Sequence, residues 1–347
     1  MNIVCVAPHK DPMWEQLVRS TRSSVFHSPE WMRTLTETYG LQLGAYVVLD
    51  SSGQPRAGIP YAQVSDILGD RRVTLPFSDY CDPLVTDSED WDALVEALLS
   101  EGVRWTIRCL GNQLPLKDPR FTTLKRARWH CLDVRPTSDE VWQTLDESAK
   151  RAINKAQRDG VSVHIGQTRD ELREFYDMHL GVRKYKYRLL AQPFAMFEGI
   201  WRHFLTEQKG LLMLARLEGR AIGGVLFLQW GDTLYYKFNA SAPAGLAYRP
   251  NDLLMWEGIK YAIRHGHRTL DFGLSDWEQE GLVRYKRKFA TKEGTIYSFG
   301  AATPGEETGR EHDTRTLLGE VTALLTDRAV PDSVTERAGE VLYKYFA

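Results

Sequence analysis

Cysteine is scarce: there are four in 347 residues (Cys5, Cys81, Cys109 and Cys131), with no C-x-x-C pair and no histidine pair nearby. This usage argues against a zinc ribbon or a disulfide framework. It leaves reduced thiols in a cytosolic protein, so a cytoplasmic location is expected. The nine histidines form no H-x-x-x-H or H-E-x-x-H arrangement and no serine sits in a nucleophile elbow. Neither a metal site nor a nucleophilic triad is therefore expected. His265 and His267 flank a helix stop, where a favourable dipole interaction accounts for them. No apolar run approaches the ~20 residues that span a bilayer. The opening MNIVCVAPHKDP lacks the basic-then-apolar order of a signal peptide.

What the sequence does hold is charge, unevenly placed. The net charge of −2 hides a middle stretch, residues 150–292, with 24 Lys and Arg against 15 Asp and Glu. The remaining residues hold 20 against 31. A basic stretch in an otherwise acidic chain favours an anionic partner for that stretch, the plain alternative being a solvated basic face. The length suits two domains.

The chain runs through one pattern twice. Residues 3–6 predict a strand and 12–19 a helical turn. Ser28 reads as an N-cap with Pro29 at the first helical position, opening a helix that Gly40 ends. Strands are predicted at 44–49, 57–64 and 72–75, joined by the turns DSSGQP and LGDRR. The loop PFSDYCDPL, a helix over 89–99, Gly102 and a strand at 105–109 complete the first copy. The second copy has strands at 211–217, 221–229 and 233–239, then the loop ASAPAGLAYRP. A helix over 252–264 capped by Asn251, a stop at Gly266 and a strand at 269–272 follow. Helices at 169–182 and 193–208 precede it. The pattern predicts an α/β chain (α+β, mixed sheets) of two tandem units, each a β-meander plus a helix and a strand. The units are expected at 1–145 and 146–305, with GAATPGEETG (300–309) as linker. The acidic helical segment 310–347, striped by Leu317, Leu318, Val321, Leu324 and Leu325, is expected to pack back on the first unit.

Three stretches carry chemistry. SAKRAINKAQRDG predicts a helix with Lys150, Arg151, Lys155 and Arg158 on one face, meeting either a nucleic-acid backbone or solvent. Arg183, Lys184, Lys186 and Arg188, interleaved with Tyr185 and Tyr187, form the densest cationic-aromatic run. Such a run suits phosphate binding and stacking on a single-stranded end, or else is a solvated loop. Finally, the strand 269–272 opens through Gly273 into a loop where Arg284, Lys286, Arg287 and Lys288 surround Tyr285 and Phe289. Strand ends that open into loops are where α/β folds place their sites. Asp271 and Asp276 are candidate proton acceptors there, although Asp271 can equally be bonding backbone. Asp79 and Tyr80, in the first copy's SDYCDP loop, either face a cleft or make a turn.

The strand–loop–helix order of the second copy resembles an N-acetyltransferase (GNAT) domain. Such domains cradle a CoA pyrophosphate with a glycine-rich turn at a helix N-terminus. Here the turn is Gly245–Asn251, with one glycine and with Pro250 lacking an amide donor. No CoA cradle and no cofactor is expected, although Arg249 can meet an anion. The chain also resembles the FemABX-type aminoacyltransferases. The resemblance rests on F-x-S-x-x-W-x-R (Phe26, Ser28, Trp31, Arg33), RAINKAQRDG, LEGRAIGGVLF and the terminal DFG…EGLVRYKRKFA.

That resemblance implies tandem GNAT-like domains and amide formation from aminoacyl-tRNA, without a covalent enzyme intermediate. The implied acceptor is an amine bearing phosphate: a peptidoglycan precursor, or a related cell-envelope or natural-product intermediate, with peripheral contact to a lipid-linked substrate. It implies that Lys286 stabilises the oxyanion and that Tyr285 packs against or orients substrate. Arg33, Arg183, Lys184, Arg188, Arg249 and Arg284 become candidates for substrate phosphate. Lys150, Arg151, Lys155 and Arg158 become candidates for tRNA contact. Two other classes stay open: an acyl-CoA-dependent N-acyltransferase in polysaccharide or metabolite synthesis, and a non-catalytic binder of anionic glycolipid precursors.

Overall fold

The computed structural model of the protein describes residues 2–66, 69–301 and 309–346. Most of the expected linker and the first residue of the LGDRR turn lie outside them. The chain forms two compact units. The first comprises Met1–Arg128, Gly294–Gly319 and Lys344–Ala347, and the second comprises Trp129–Glu293 and Glu320–Tyr343.

In the first unit, Asn2–Val6, Gln42–Leu49 and Pro55–Asp66 form an antiparallel meander. Gly69–Val73 continues it antiparallel and then runs parallel to Arg104–Cys109. The helix Ser88–Ser100 makes the crossover, starting at the Asp87 cap. Tyr46, Val48 and Ile59 alternate onto the face that Trp91, Leu94 and Leu98 cover. The helix Pro12–Ser20 covers the other face so closely that a side chain at Gly58 would meet Leu17 at 2.9 Å. The helix Pro29–Tyr39 starts where expected: the Ser28 hydroxyl accepts from the Trp31 amide at 3.2 Å, and Gly40 ends it in the left-handed region.

The second unit repeats the order. Ser162–Gly166, Gly210–Leu217, Arg220–Trp230 and Thr233–Ser241 are antiparallel neighbours. Thr269–Asp276 then pairs parallel to the last of them after the helix Pro250–Arg264. One face of this sheet (Met213, Val225, Phe227, Leu234, Phe272) is packed by Ile153 of the helix Glu147–Arg158. Leu253, Trp256 and Ile259 of Pro250–Arg264 pack the same face. Each such side chain, fully buried, contributes roughly 1.5–3 kcal/mol.

Three strands were not anticipated, Phe121–Asp133, Ser162–Gly166 and Lys292–Ala301, and the first and last each contain a unit boundary. The second unit therefore begins at Trp129 rather than at residue 146. The C-terminal expectation also changes. Residues 320–343, including the helix Asp332–Leu342, group with the second unit, whereas 309–319 and 344–346 group with the first. The reason is ionic, because Arg173 and Lys184 of the second unit pair with Glu336 and Asp332. Among the described residues, no helix is long and apolar enough to cross a membrane.

Candidate active site

The site lies in the second unit, where two parallel strands part. Their pairing runs from Thr233 opposite Thr269 to Tyr235 opposite Asp271. A register shift between Tyr236 and Phe238 then bends one strand, and Gly273, at φ 66°, bends the other. Glycine alone takes that left-handed backbone without steric cost. Asp271 sets the turn. Its Oδ1 accepts from the Gly273 amide at 2.6 Å and from the Trp129 indole at 2.9 Å.

Lys286 holds the same turn. Its Nζ donates to the carbonyl oxygens of Gly273 (3.0 Å) and Leu274 (2.8 Å), and the residue is 2% exposed. A buried ammonium needs such partners, since charge without them is costly in a protein interior. The segment read as a loop is a helix, Glu280–Arg287, whose buried face consists of Val283 and Lys286, three residues apart.

Beside it, the Tyr285 hydroxyl donates to the Asn251 carbonyl at 2.9 Å. Tyr285 and Tyr236 are hydrogen-bonded, and burial pushes both phenols above their ordinary value, so both stay protonated at neutral pH. Asp252 lies 3.3 Å from Lys288. Burial raises its carboxyl above the usual range, against the lowering effect of Lys288. The Lys288 ammonium stands 5.7 Å from the centre of the Tyr285 ring. Tyr236 and Asp252 were not singled out from the sequence. Tyr236 sits in an apolar strand and reads as core, and Asp252 reads as a first-turn acid favoured by the helix dipole.

The N-terminus of Pro250–Arg264 has no side-chain cap. Asn251 is not the cap. Arg249, at φ 58°, occupies that position, and Pro250 is the first helical residue. The Asn251 side-chain oxygen accepts from Asn239 (3.0 Å) and Ser241 (2.6 Å). A Cβ on Gly245 would stand 2.6 Å from Ile222, so this loop's glycine serves packing and does not open the backbone to a ligand.

Comparison with known proteins agrees with this architecture. Residues 145–287 match an acetyltransferase (GNAT) domain, and residues 86–191 match the FemAB family. Each match covers less than half of the chain. Two curated relatives, the lipid II:glycine glycyltransferases of two Staphylococcus epidermidis strains, are each 35% identical over 80 residues. That stretch is 21% of this chain and 19% of theirs, so only a small part of those relatives is matched. The solved structure of FemX overlays 92% of this chain and all of its own, with a TM-score of 0.66 at 14% identity. A tandem GNAT protein from the clavulanic acid biosynthesis pathway overlays 88% of it, with a TM-score of 0.52 at 12% identity. These two likenesses concern the fold.

The other expected site residues scatter. Arg249 and Arg284 are exposed on the second unit, and Asp276 is half-buried at the strand end. The cationic-aromatic run is a π-helix, Val182–Tyr187. Lys184 within it is wholly buried, donating to the Val330 carbonyl (2.5 Å) and to Asp332 (2.8 Å). Arg188 donates to the Thr326 carbonyl at 2.7 Å. Both are therefore occupied by the chain's own C-terminal segment, which a solvated or phosphate-binding loop would not require. Arg183 donates to the Leu190 carbonyl at 3.0 Å. On the helix Glu147–Arg158, Lys150 pairs with Glu147 and Lys155 with Asp159, while Arg151 and Arg158 are exposed. Arg33, Asp79 and Tyr80 belong to the first unit. Arg33 stands 3.7 Å from Glu30, and Tyr80 is buried edge-on to Phe26.

Proposed function

We propose that this protein is an aminoacyltransferase that forms an amide from aminoacyl-tRNA and an amine on an anionic, lipid II-type acceptor. The observation that carries the reading is the buried Lys286 ammonium at the Gly273 turn, flanked by Tyr285 and Tyr236. In the proposed reaction the neutral amine attacks the ester carbonyl carbon, and the tetrahedral oxyanion forms within reach of Lys286. The C–O bond to the terminal ribose then breaks, the leaving oxygen taking the proton the amine gives up. A preorganised cation aimed at that oxyanion is worth about 3–4 kcal/mol in a water-excluded site. Tyr285 orients the substrate. Asp276, at the more open strand end, is better placed to relay the proton than the enclosed Asp271. Arg183, Arg249 and Arg284 are proposed to meet acceptor phosphate, and Arg151 and Arg158 the tRNA backbone. Dependence on tRNA is consistent with a cytoplasmic location.

A second reading, acyl-CoA-dependent N-acyl transfer, is favoured by the GNAT match over residues 145–287. Pro250, which brings no amide donor to the helix N-terminus, and the packed Gly245 speak against it, because a pyrophosphate needs amide donors and room there. The test is to supply purified protein with charged tRNA and lipid II. Product that disappears after ribonuclease treatment supports the proposal. Ribonuclease-insensitive product, or turnover with acyl-CoA alone, overturns it.

A further inference from the structure

The π-helix Val182–Tyr187 carries two residues that face opposite demands. Lys184 is sealed inside, whereas Tyr187 is 37% exposed and close enough to Tyr236 to raise that phenol, adding to the effect of burial. The π-helix closes on itself: the Arg183 carbonyl accepts from the amides of Arg188 and Leu189. Arg188 is forced to φ 55°. Such i→i+5 turns are costly and persist where surrounding structure imposes them.

The C-terminal hairpin supplies that surrounding structure. Asp332 accepts from Lys184 and from the Tyr185 hydroxyl (2.6 Å), and Thr326 accepts from Arg188. Arg173, on the helix that leads into the π-helix, grips Glu336 through two bonds of 2.7 and 2.9 Å. The helix Asp332–Leu342 approaches so closely that a Cβ on Gly339 would lie 2.5 Å from the Ala191 carbonyl oxygen. Four residues of one hairpin, Thr326, Asp332, Glu336 and Gly339, thus converge on the stretch from Arg173 to Ala191, all within the second unit.

We infer that Asp332 is a positioning residue: by fixing Lys184 it holds the π-helix in the register that sets Arg183, one of the residues proposed to meet acceptor phosphate. The inference rests on the proposed anionic-acceptor reading of that site. It makes the C-terminal hairpin part of the site's scaffold. A buried ammonium deprived of its carboxylate must find water or another partner, and a strained turn is the element that gives way.

The experiment compares wild type, Asp332→Asn and Asp332→Glu, each first shown to be folded by near-ultraviolet circular dichroism. Amide hydrogen exchange over residues 182–190 is read alongside inorganic pyrophosphate binding, followed by intrinsic fluorescence. In Asp332→Asn, protection over 182–190 is expected to fall about tenfold with the strands Gly210–Leu217 and Arg220–Trp230 unchanged. Pyrophosphate affinity falls with it, and Asp332→Glu restores both. Unchanged protection in the folded Asp332→Asn protein overturns the inference, as does lost protection with unchanged affinity. A wild type that binds no pyrophosphate, yet shows the protection loss in the variant, upholds the clamp and instead sinks the anion reading of the site.

Discussion

The Lys286 ammonium lies 3.0 Å from the Gly273 carbonyl oxygen, thirteen residues earlier in the chain, and so ties the helix Glu280–Arg287 to the turn that ends the parallel strand. One side chain therefore shapes the turn and also supplies its positive charge. The two roles separate on substitution. Lys286→Met keeps the buried stem and removes the ammonium. Turnover should fall about 10²–10³-fold, the usual loss for one oxyanion donor. Two buried carbonyls lose a partner at the same time, which costs about 1–3 kcal/mol in urea unfolding. Full turnover in Lys286→Met would remove Lys286 from the chemistry.

Gly273→Ala tests the turn itself. At φ 66° the added Cβ meets the following carbonyl, so stability should drop by roughly 1–2 kcal/mol. Activity should fall with it, because the carbonyls that anchor Lys286 are those of residues 273 and 274. A denaturation midpoint equal to wild type would mean that the backbone relaxes freely there.

His179 gives the fold a pH dependence. Burial, and secondarily the charge of Arg183, push its imidazole down to about 3, and the ring shares a hydrogen with Gln192 at 2.8 Å. In the unfolded chain the ring titrates near 6.5, so between about 3 and 6.5 the unfolded state binds the extra proton. Stability is therefore full above 6.5 and is lost as pH falls toward 3, by about 2 kcal/mol at pH 5 from this residue alone. Denaturant unfolding at pH 7 and pH 5 should show this loss in wild type and much less of it in His179→Gln.

The basic helix Glu147–Arg158 discriminates among its own cations. Lys150 and Lys155 already have carboxylate partners, whereas Arg151 and Arg158 stand exposed. Substituting Arg151 and Arg158 by alanine should weaken tRNA binding and reduce the slope of log affinity against log salt by about 0.7–0.9 per lost phosphate contact. The same change at Lys150 should have less effect. Equal losses at all positions would indicate a diffuse field instead of contacts.

The meanders, the crossover helices and their glycine stops were legible because apolar periodicity and caps such as Ser28–Pro29 are local signals. The strand Phe121–Asp133 was not legible. Leu124, Lys125 and Arg126 are exposed along it, so no polar–apolar alternation marks it. The helix Glu280–Arg287 was hidden by its own chemistry, since its inward face includes a lysine and a hydrophobic pattern cannot register that. The run from Arg183 to Arg188 shows the converse. Its composition suggested an external anion, but the anion that meets Lys184 is Asp332, 148 residues further along. A choice between a partner in solution and one in the same chain depends on tertiary structure.

That separation in sequence has a consequence for how the protein is made. The first unit takes in the strand pairing Tyr297–Ala301 with Trp105–Cys109, and the second takes in the hairpin that neutralises Lys184. Domains usually complete folding as they leave the ribosome, N-terminal first. Here neither unit holds all its pieces until residues beyond 293 have been synthesised. A nascent chain halted before residue 294 would display an unfinished sheet edge and a buried lysine without its counter-ion, both targets for chaperone retention.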